Sequence, residues 1–192
     1  MLSIVFRLAG SEEYSSNQFK LYTDRIENYF NRYKNHEIIP FVKKIRTENG
    51  IGFDVVMSMA IHLDDDLNPL AEFTDQLPEQ RWEKQNSAEF LRLLQKFRKD
   101  TQFDDFFKSN ESLYQQVSNR FLPIYEKSDL NWYYSFYGKE PDEKFVIING
   151  VGNGGGNYGP SVYLTNDKRE VYAIMGTWRV DSSGKAVYKM NE

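Results

Sequence analysis

The stretch Lys-Phe-Val-Ile-Ile-Asn-Gly-Val-Gly-Asn-Gly-Gly-Gly-Asn-Tyr-Gly-Pro-Ser-Val-Tyr-Leu-Thr, residues 144–165, decides how this chain is read. Two β-type runs, 144–149 and 161–165, flank a glycine- and asparagine-rich loop from Gly150 to Pro160. A third run, Glu-Val-Tyr-Ala-Ile-Met at 170–175, follows a turn signal at Asn166-Asp167-Lys168. Upstream of Pro141 the apolar residues recur with a period of about 3.6, and downstream the period falls to about 2. The expected fold is therefore α+β, one domain over 1–192. Residues 1–140 form a helical part and 141–192 a small, mainly antiparallel sheet.

The helical part divides at its own punctuation. Residues 2–9 are a short apolar segment ending at Gly10. From Asn17 to Lys34, Phe19, Tyr22, Ile26, Phe30 and Tyr33 lie three or four residues apart and mark an amphipathic helix. A second helix runs from Glu37 to Thr47 and stops at Asn49-Gly50. Phe53 to Leu63 is apolar nearly all round, which places it at the centre of the core. Residues 64–86 read as a long surface connection with one short helix near Pro69–Phe73. The box Asn86-Ser87-Ala88-Glu89 starts the next helix, 87–99. Thr101-Gln102-Phe103-Asp104 starts a short one through Phe107, and Asn110 to Phe121 is another, ended by Pro123. Asp129 to Tyr137 is a short aromatic helix stopped by Gly138. Past the third strand, Thr177–Val180 and Ala186–Tyr188 flank a hairpin-type turn at Asp181-Ser182-Ser183-Gly184.

Composition excludes several classes of function. The net charge is −4 with acids and bases interspersed, so there is no basic face for nucleic acid. Cysteine is absent, which removes disulfides, thiolate catalysis and cysteine-bound metals. The first ten residues lack the basic region of a signal peptide, and no run approaches the length of about 18 apolar residues that spans a bilayer. Phe and Tyr are abundant, 14 and 13. Aromatic packing between helices explains them, and an aromatic groove for sugar or peptide is the functional alternative.

Several motifs fail on context. Gly150 to Gly155 satisfies G-x-G-x-x-G, but turn and strand residues come next, and Gly159-Pro160 forbids the helix that a dinucleotide site needs. His36-Glu37 begins like H-E-x-x-H, but Pro40 holds the second ligand position. His62 precedes Asp64-Asp65-Asp66, a run that reads as a solvated helix boundary. No serine-nucleophile motif is present, so no catalytic residue is assigned and no cofactor is held within the chain. The loop is either a plain hairpin tip or the wall of a cleft. In the second case Asn149, Asn153, Asn157 and Tyr158 are the cleft-lining candidates, because amides and a phenol can hold a ligand where glycines let backbone approach.

Four segments carry a resemblance. They are Leu2–Gly10 with Glu13-Tyr14; Tyr29-Phe30 with Tyr33–His36; Asn49–Asp54 through Met57–Leu63; and Asn153–Pro160 with Val171–Gly176. They resemble an uncharacterised bacterial domain-of-unknown-function family of zincin-like zinc peptidases. The resemblance covers nearly the whole chain. In that family the sheet leads into a helix bearing H-E-x-x-H, whose histidines bind zinc and whose glutamate activates water. The resemblance thus implies a non-catalytic portion of a zinc-dependent peptidase-like protein, incomplete after Met190-Asn191-Glu192 and starting downstream of the family's own start. Zinc is expected only on a helix beyond this chain. An extended peptide substrate would pair beside strand 161–165 or 171–175, with the loop Asn153–Tyr158 lining the cleft. An extracytoplasmic location follows from the same resemblance. The sheet face that such a helix would cover is expected to be bare and to drive self-association. The alternative is a stand-alone module that holds peptide or glycan with aromatic residues and the loop.

Overall fold

A computed structural model describes residues 1–127, 131–163 and 169–188. Among them the order is eight α-helices and then four strands. The first four helices are α1 (Leu2–Leu8), α2 (Lys20–Phe30), α3 (Ile38–Asn49) and α4 (Phe53–Ile61). They are followed by α5 (Lys84–Asp100), α6 (Phe103–Ser109), α7 (Glu111–Glu126) and α8 (Asn131–Tyr137). The strands are β1 (Lys144–Gly150), β2 (Asn157–Tyr158), β3 (Ser161–Tyr163) and β4 (Arg169–Gly176). The turn expected at Asn166-Asp167-Lys168, the last residues of the 161–165 run, the start of the aromatic helix at Asp129 and the terminal Met190–Glu192 lie outside the described residues. Among the described residues no helix is long and apolar enough to cross a membrane.

The helical stripes become the core. On α2, Tyr22, Ile26 and Phe30 are buried. Phe30 sits 4.8 Å from Phe106, 5.9 Å from Phe97 and 6.0 Å from Phe103 between ring centroids, so α2, α5 and α6 meet around one aromatic hub. The Phe106 pair is edge-on, the Phe103 pair tilted and the Phe97 pair stacked. On α4, Val55, Val56, Met57, Met59 and Ile61 are all buried, as its all-round apolarity requires. Gly50 closes α3 in the left-handed conformation, φ 69°, which glycine adopts without cost.

The connection before α5 corrects the sequence reading. No helix forms at 69–73. Leu63 and Pro69 pair in an antiparallel bridge, and Leu70 N–H donates to His62 C=O at 2.9 Å, so a tight loop uses those backbone groups. A single 3₁₀ turn, Gln80–Trp82, stands further on. It carries the fully buried Trp82, whose ring lies 4.7 Å from Phe90 and whose Nε1–H donates to Val55 C=O at 2.9 Å. The connection is therefore anchored in the core at Leu67, Phe73 and Trp82. It also starts α5 two residues ahead of the Asn86–Glu89 box, because the Asp75 carboxylate accepts from Lys84 N–H at 3.1 Å. A cap supplied nine residues upstream outcompetes the local one. Pro123 lies inside α7, within its last turns, and the helix runs on to Glu126. A proline there forfeits one hydrogen bond on a largely exposed end.

The sheet is mixed. Its order is β1-β4-β2, with β3 on the same side of β4 as β2. Two of the three pairings are antiparallel, β2 and β3 each with β4. The longest is parallel, β1 with β4, from Lys144↔Glu170 to Gly150↔Gly176. The chain leaves β1, crosses the sheet end through the glycine loop, and lays down β2 and β3 one position away. β4 then fills the gap. Glu170, Ile174 and Gly176 are buried on the face toward the helices, and α4 packs behind β2 and β3. Their alternates Val171, Ala173 and Met175 share the other face with Phe145 and Ile147.

Trp82→Phe keeps the ring and removes the donor to Val55. It is expected to lower unfolding stability by roughly 1–3 kcal/mol, the cost of losing a buried hydrogen bond. Urea denaturation followed by circular dichroism checks this, and an unchanged midpoint would show that the indole N–H contributes nothing.

Candidate functional site

The glycine loop is a wedge, not a free hairpin tip. A Cβ on Gly176 would lie 2.5 Å from the Gly154 carbonyl oxygen and 2.6 Å from that of Gly156, so only glycine lets the end of β4 meet the loop. Gly154, at φ 57°, lies against the Glu13 carbonyl and the Ser16 side chain. Gly152 lies against Ser3 and Tyr22. The loop is thus held between β4 on one side and the first two helices with the 3₁₀ turn Glu12–Tyr14 on the other. The loop leads directly into strand β2, not into a helix. The G-x-G-x-x-G match has no phosphate cradle.

The four candidate residues divide between two faces. Asn153 is buried, with its amide nitrogen 3.8 Å from Met57 Sδ, and points into the body. Tyr158, half-buried on the inner face, lays its ring 6.2 Å from Tyr14 and its hydroxyl over Gly156. Burial raises the pKa of both phenols, so both stay neutral. Tyr14 donates to Phe53 C=O at 2.7 Å. Asn149 and Asn157 do come together, one on each side of Met175 in the strand register, as a row across the outer face. The Asn157 side-chain oxygen accepts from Gly176 N–H at 3.0 Å, which locks β2 to the end of β4.

Of the two strands that the resemblance places beside a peptide, β3, the described part of 161–165, pairs among the described residues with β4 alone. β4, containing 171–175, is paired on both sides and has no edge to offer a peptide. β1 is an edge strand seven residues long. Among the described residues its main chain makes no hydrogen bond outward between Lys144 and Ile148. Phe145 and Ile147 on its outer side are 54% and 42% exposed, which makes this face bare and apolar. Tyr133 of α8 reaches Phe145 at 6.1 Å between centroids. Trp132, Tyr134, Phe136 and Tyr137 remain exposed beside it. The sequence held this signal in two places: 144–150 is apolar at both alternating phases, and five of the seven residues of α8 are aromatic. β1 spans roughly 20 Å at about 3.3 Å per residue. The α8 rings and the Gly/Asn loop stand at its opposite ends, so they do not form one joint site.

Both histidines are committed to the fold. His36 Nδ1 accepts from Ile38 N–H at 3.2 Å at the start of α3, and its Nε2 faces Asp100 at 3.2 Å. His62 donates through Nδ1 to Ser58 C=O at 2.7 Å, and burial lowers its pKa and keeps it neutral. Asp64 accepts from Asp66 N–H, Asn68 N–H and the Asn68 amide, closing a turn at the end of α4. Among the described residues no three of His, Asp and Glu converge as a metal site.

One polar cluster ties β1 to β4 on the inner face. The buried Glu170 carboxylate accepts from Lys144 Nζ at 2.7 Å and from the Tyr172 hydroxyl at 2.6 Å. Those two bonds hold the Glu170 pKa below its ordinary 4.5, Lys144 first. Burial and then Glu170 push Tyr172 up to about 12. A lowered carboxylate pKa stabilises the fold above the unfolded value, and that stability is lost as pH falls through the folded value.

Glu170→Gln is expected to cost roughly 1–2 kcal/mol at neutral pH and less at acid pH, as the pH falls through the lowered folded value and the wild type loses its charge. An equal cost at both pH values, measured by urea unfolding, would contradict the role of the charge. Gly176→Ala is expected to destabilise by more than about 2 kcal/mol through the clash with the loop carbonyls. Gly159→Ala, whose Cβ would meet nothing nearer than 3.8 Å, is expected to be near neutral. Equal midpoints for the two alanine variants would show that the loop is not wedged.

No curated protein and no solved structure matches the chain. One family model does, across residues 7–192. The chain belongs to the family described as a domain of unknown function, DUF4932.

Proposed function

We propose that this chain is the non-catalytic portion of a zinc-dependent peptidase-like protein, the helical body and sheet against which a zinc-binding helix packs. The observation that carries this reading is the bare outer face of the sheet. Exposed Ala173 and half-buried Val171 and Met175 sit beside exposed Phe145 and Ile147, with α8 touching the Phe145 end of this face through Tyr133. A sheet with helices on one face and apolar side chains on the other lacks a layer. The resemblance to zincin-like peptidases names that layer as an H-E-x-x-H helix encoded outside 1–192. The residues present do not themselves fit zinc, since both histidines are engaged elsewhere. The substrate class is an extended peptide. The free edge of β1 offers it main-chain hydrogen bonds, and the outer face offers side-chain contacts. An extracytoplasmic site of action goes with the same resemblance.

The test is the coding sequence past codon 192 together with the zinc content of its product. An in-frame H-E-x-x-H, and about one zinc per chain in the longer product only, is the expected result. A native stop after Glu192, or a longer product with neither motif nor metal, would overturn the reading. The chain 1–192 alone is expected to self-associate through its outer sheet face, and Phe145→Lys with Ile147→Lys is expected to restore a monomer. Light scattering that finds the unsubstituted chain monodisperse and monomeric at high concentration would contradict this.

A further inference from the structure

Past β4 the chain runs from Thr177 to Val180, turns at Asp181–Gly184, and returns to pair Ala186 with Val180. Beside this turn lies an open trough of about 700 Å³, lined by Gln18, Trp178, Arg179, Val180, Asp181 and Val187. The glycine loop packs against one of its lining residues, since a Cβ on Gly155 would lie 3.2 Å from the Trp178 Cβ. Trp178 is 55% exposed, so much of its indole faces solvent.

The two charges in the trough have different fates. Asp181 is consumed internally. It accepts from Arg120 at 2.7 Å, from Ser183 N–H at 2.8 Å, from the Ser183 hydroxyl at 2.6 Å and from Lys185 N–H at 3.1 Å. Arg179 lies over the Trp178 ring, 5.3 Å from its centroid, and has no acidic partner among the described residues. A guanidinium without an acid among the described residues therefore stands beside an exposed indole, with Gln18 lining the same trough.

We propose that this trough binds a carbohydrate that carries a carboxylate, of the uronic-acid type. The C–H face of a pyranose ring stacks on the indole, as apolar faces do on aromatic rings. The planar guanidinium pairs two N–H donors with one carboxylate. The Gln18 amide, both donor and acceptor, suits ring hydroxyls. Among the described residues that line the trough, Arg179 is the one cation without an acid, which matches a single carboxylate and falls short of what a polyphosphate needs. The volume lies within the range of small-ligand clefts and admits one or two sugar rings. No metal and no residue outside 1–192 takes part, so this inference stands or falls separately from the zinc-peptidase reading.

The experiment titrates the 192-residue chain with trigalacturonic acid and with its fully methyl-esterified form, using calorimetry, and follows tryptophan fluorescence in parallel. Saturable binding of the acid is expected, with the neutral ester at least about 10-fold weaker, the worth of a charge-assisted hydrogen bond. Arg179→Gln is expected to bring the acid down to the level of the ester. Trp178→Ala is expected to abolish both, and Trp132→Phe to change neither. Both trough residues are exposed, so unchanged circular dichroism separates lost binding from lost fold. No saturation up to about 10 mM acid, weaker than any useful recognition, would overturn the proposal. So would binding that Trp178→Ala and Arg179→Gln leave unchanged, or equal affinity for acid and ester.

Discussion

The close approach of Gly176 to the carbonyls of Gly154 and Gly156 joins the two halves of this protein. A methyl group at that position would occupy the space of both oxygens. With none there, the Asn157 side chain takes the Gly176 N–H and the loop folds flat over the end of β4. The far side of the same loop meets Ser3, Glu13 and Ser16, near the start of the chain. Contacts between segments this distant in sequence cost chain entropy, and the loss is offset only if many form together. Asn153 inserted beside Met57 and the Tyr14–Tyr158 ring pair are the side-chain part of that set.

From this anchor the rest of the sheet takes its place. The end of β4 is pinned to the helical body, so β4 becomes the central strand and both its neighbours are set by it. The Glu170 carboxylate holds the opposite end through Lys144 and Tyr172. The inner face is thereby packed along β4, where Glu170, Ile174 and Gly176 are buried, and Phe145 and Ile147 on the outer face stay exposed. Covering half-exposed Phe145 and Ile147 would gain on the order of 1 kcal/mol each at about 25 cal/mol per Å². That gain favours anything that covers this face, and it is why the proposed zinc-binding helix and self-association concern the same surface.

The helices were legible because their signal is local. Tyr22, Ile26 and Phe30 announce the buried stripe of α2, and the apolar run of α4 announces a central helix. Legibility ended where a distant group decided the outcome. The box at Asn86–Glu89 is a sound local start, but Asp75 caps Lys84 from outside the helix. Trp82 gave no periodic signal, yet its N–H reaches Val55 and draws a largely polar connection into the core. The parallel pairing of β1 with β4 was equally hidden, because three β-runs in a row suggest a meander and nothing local says that one position is skipped. Of the candidate site, Asn149 and Asn157 share a face as a cleft would need, while Asn153 and Tyr158 turn inward. Residue type alone does not tell an amide that binds a ligand from one that pins a loop.

The glycine run that mimics a phosphate loop has a different physical use here. In a dinucleotide site the missing side chains make room for a ligand; in this chain they make room for the chain itself. The space beside Gly176 is filled by the Gly154 and Gly156 backbone, and that beside Gly152 by Ser3 and Tyr22. A loop so packed has no spare volume. The space it creates lies at its rim, where Gly155 lets Trp178 stand close and where Arg179 is left without an acid among the described residues. The proposed trough therefore depends on residues that pack against the loop, while the glycines close the space between strand and helices.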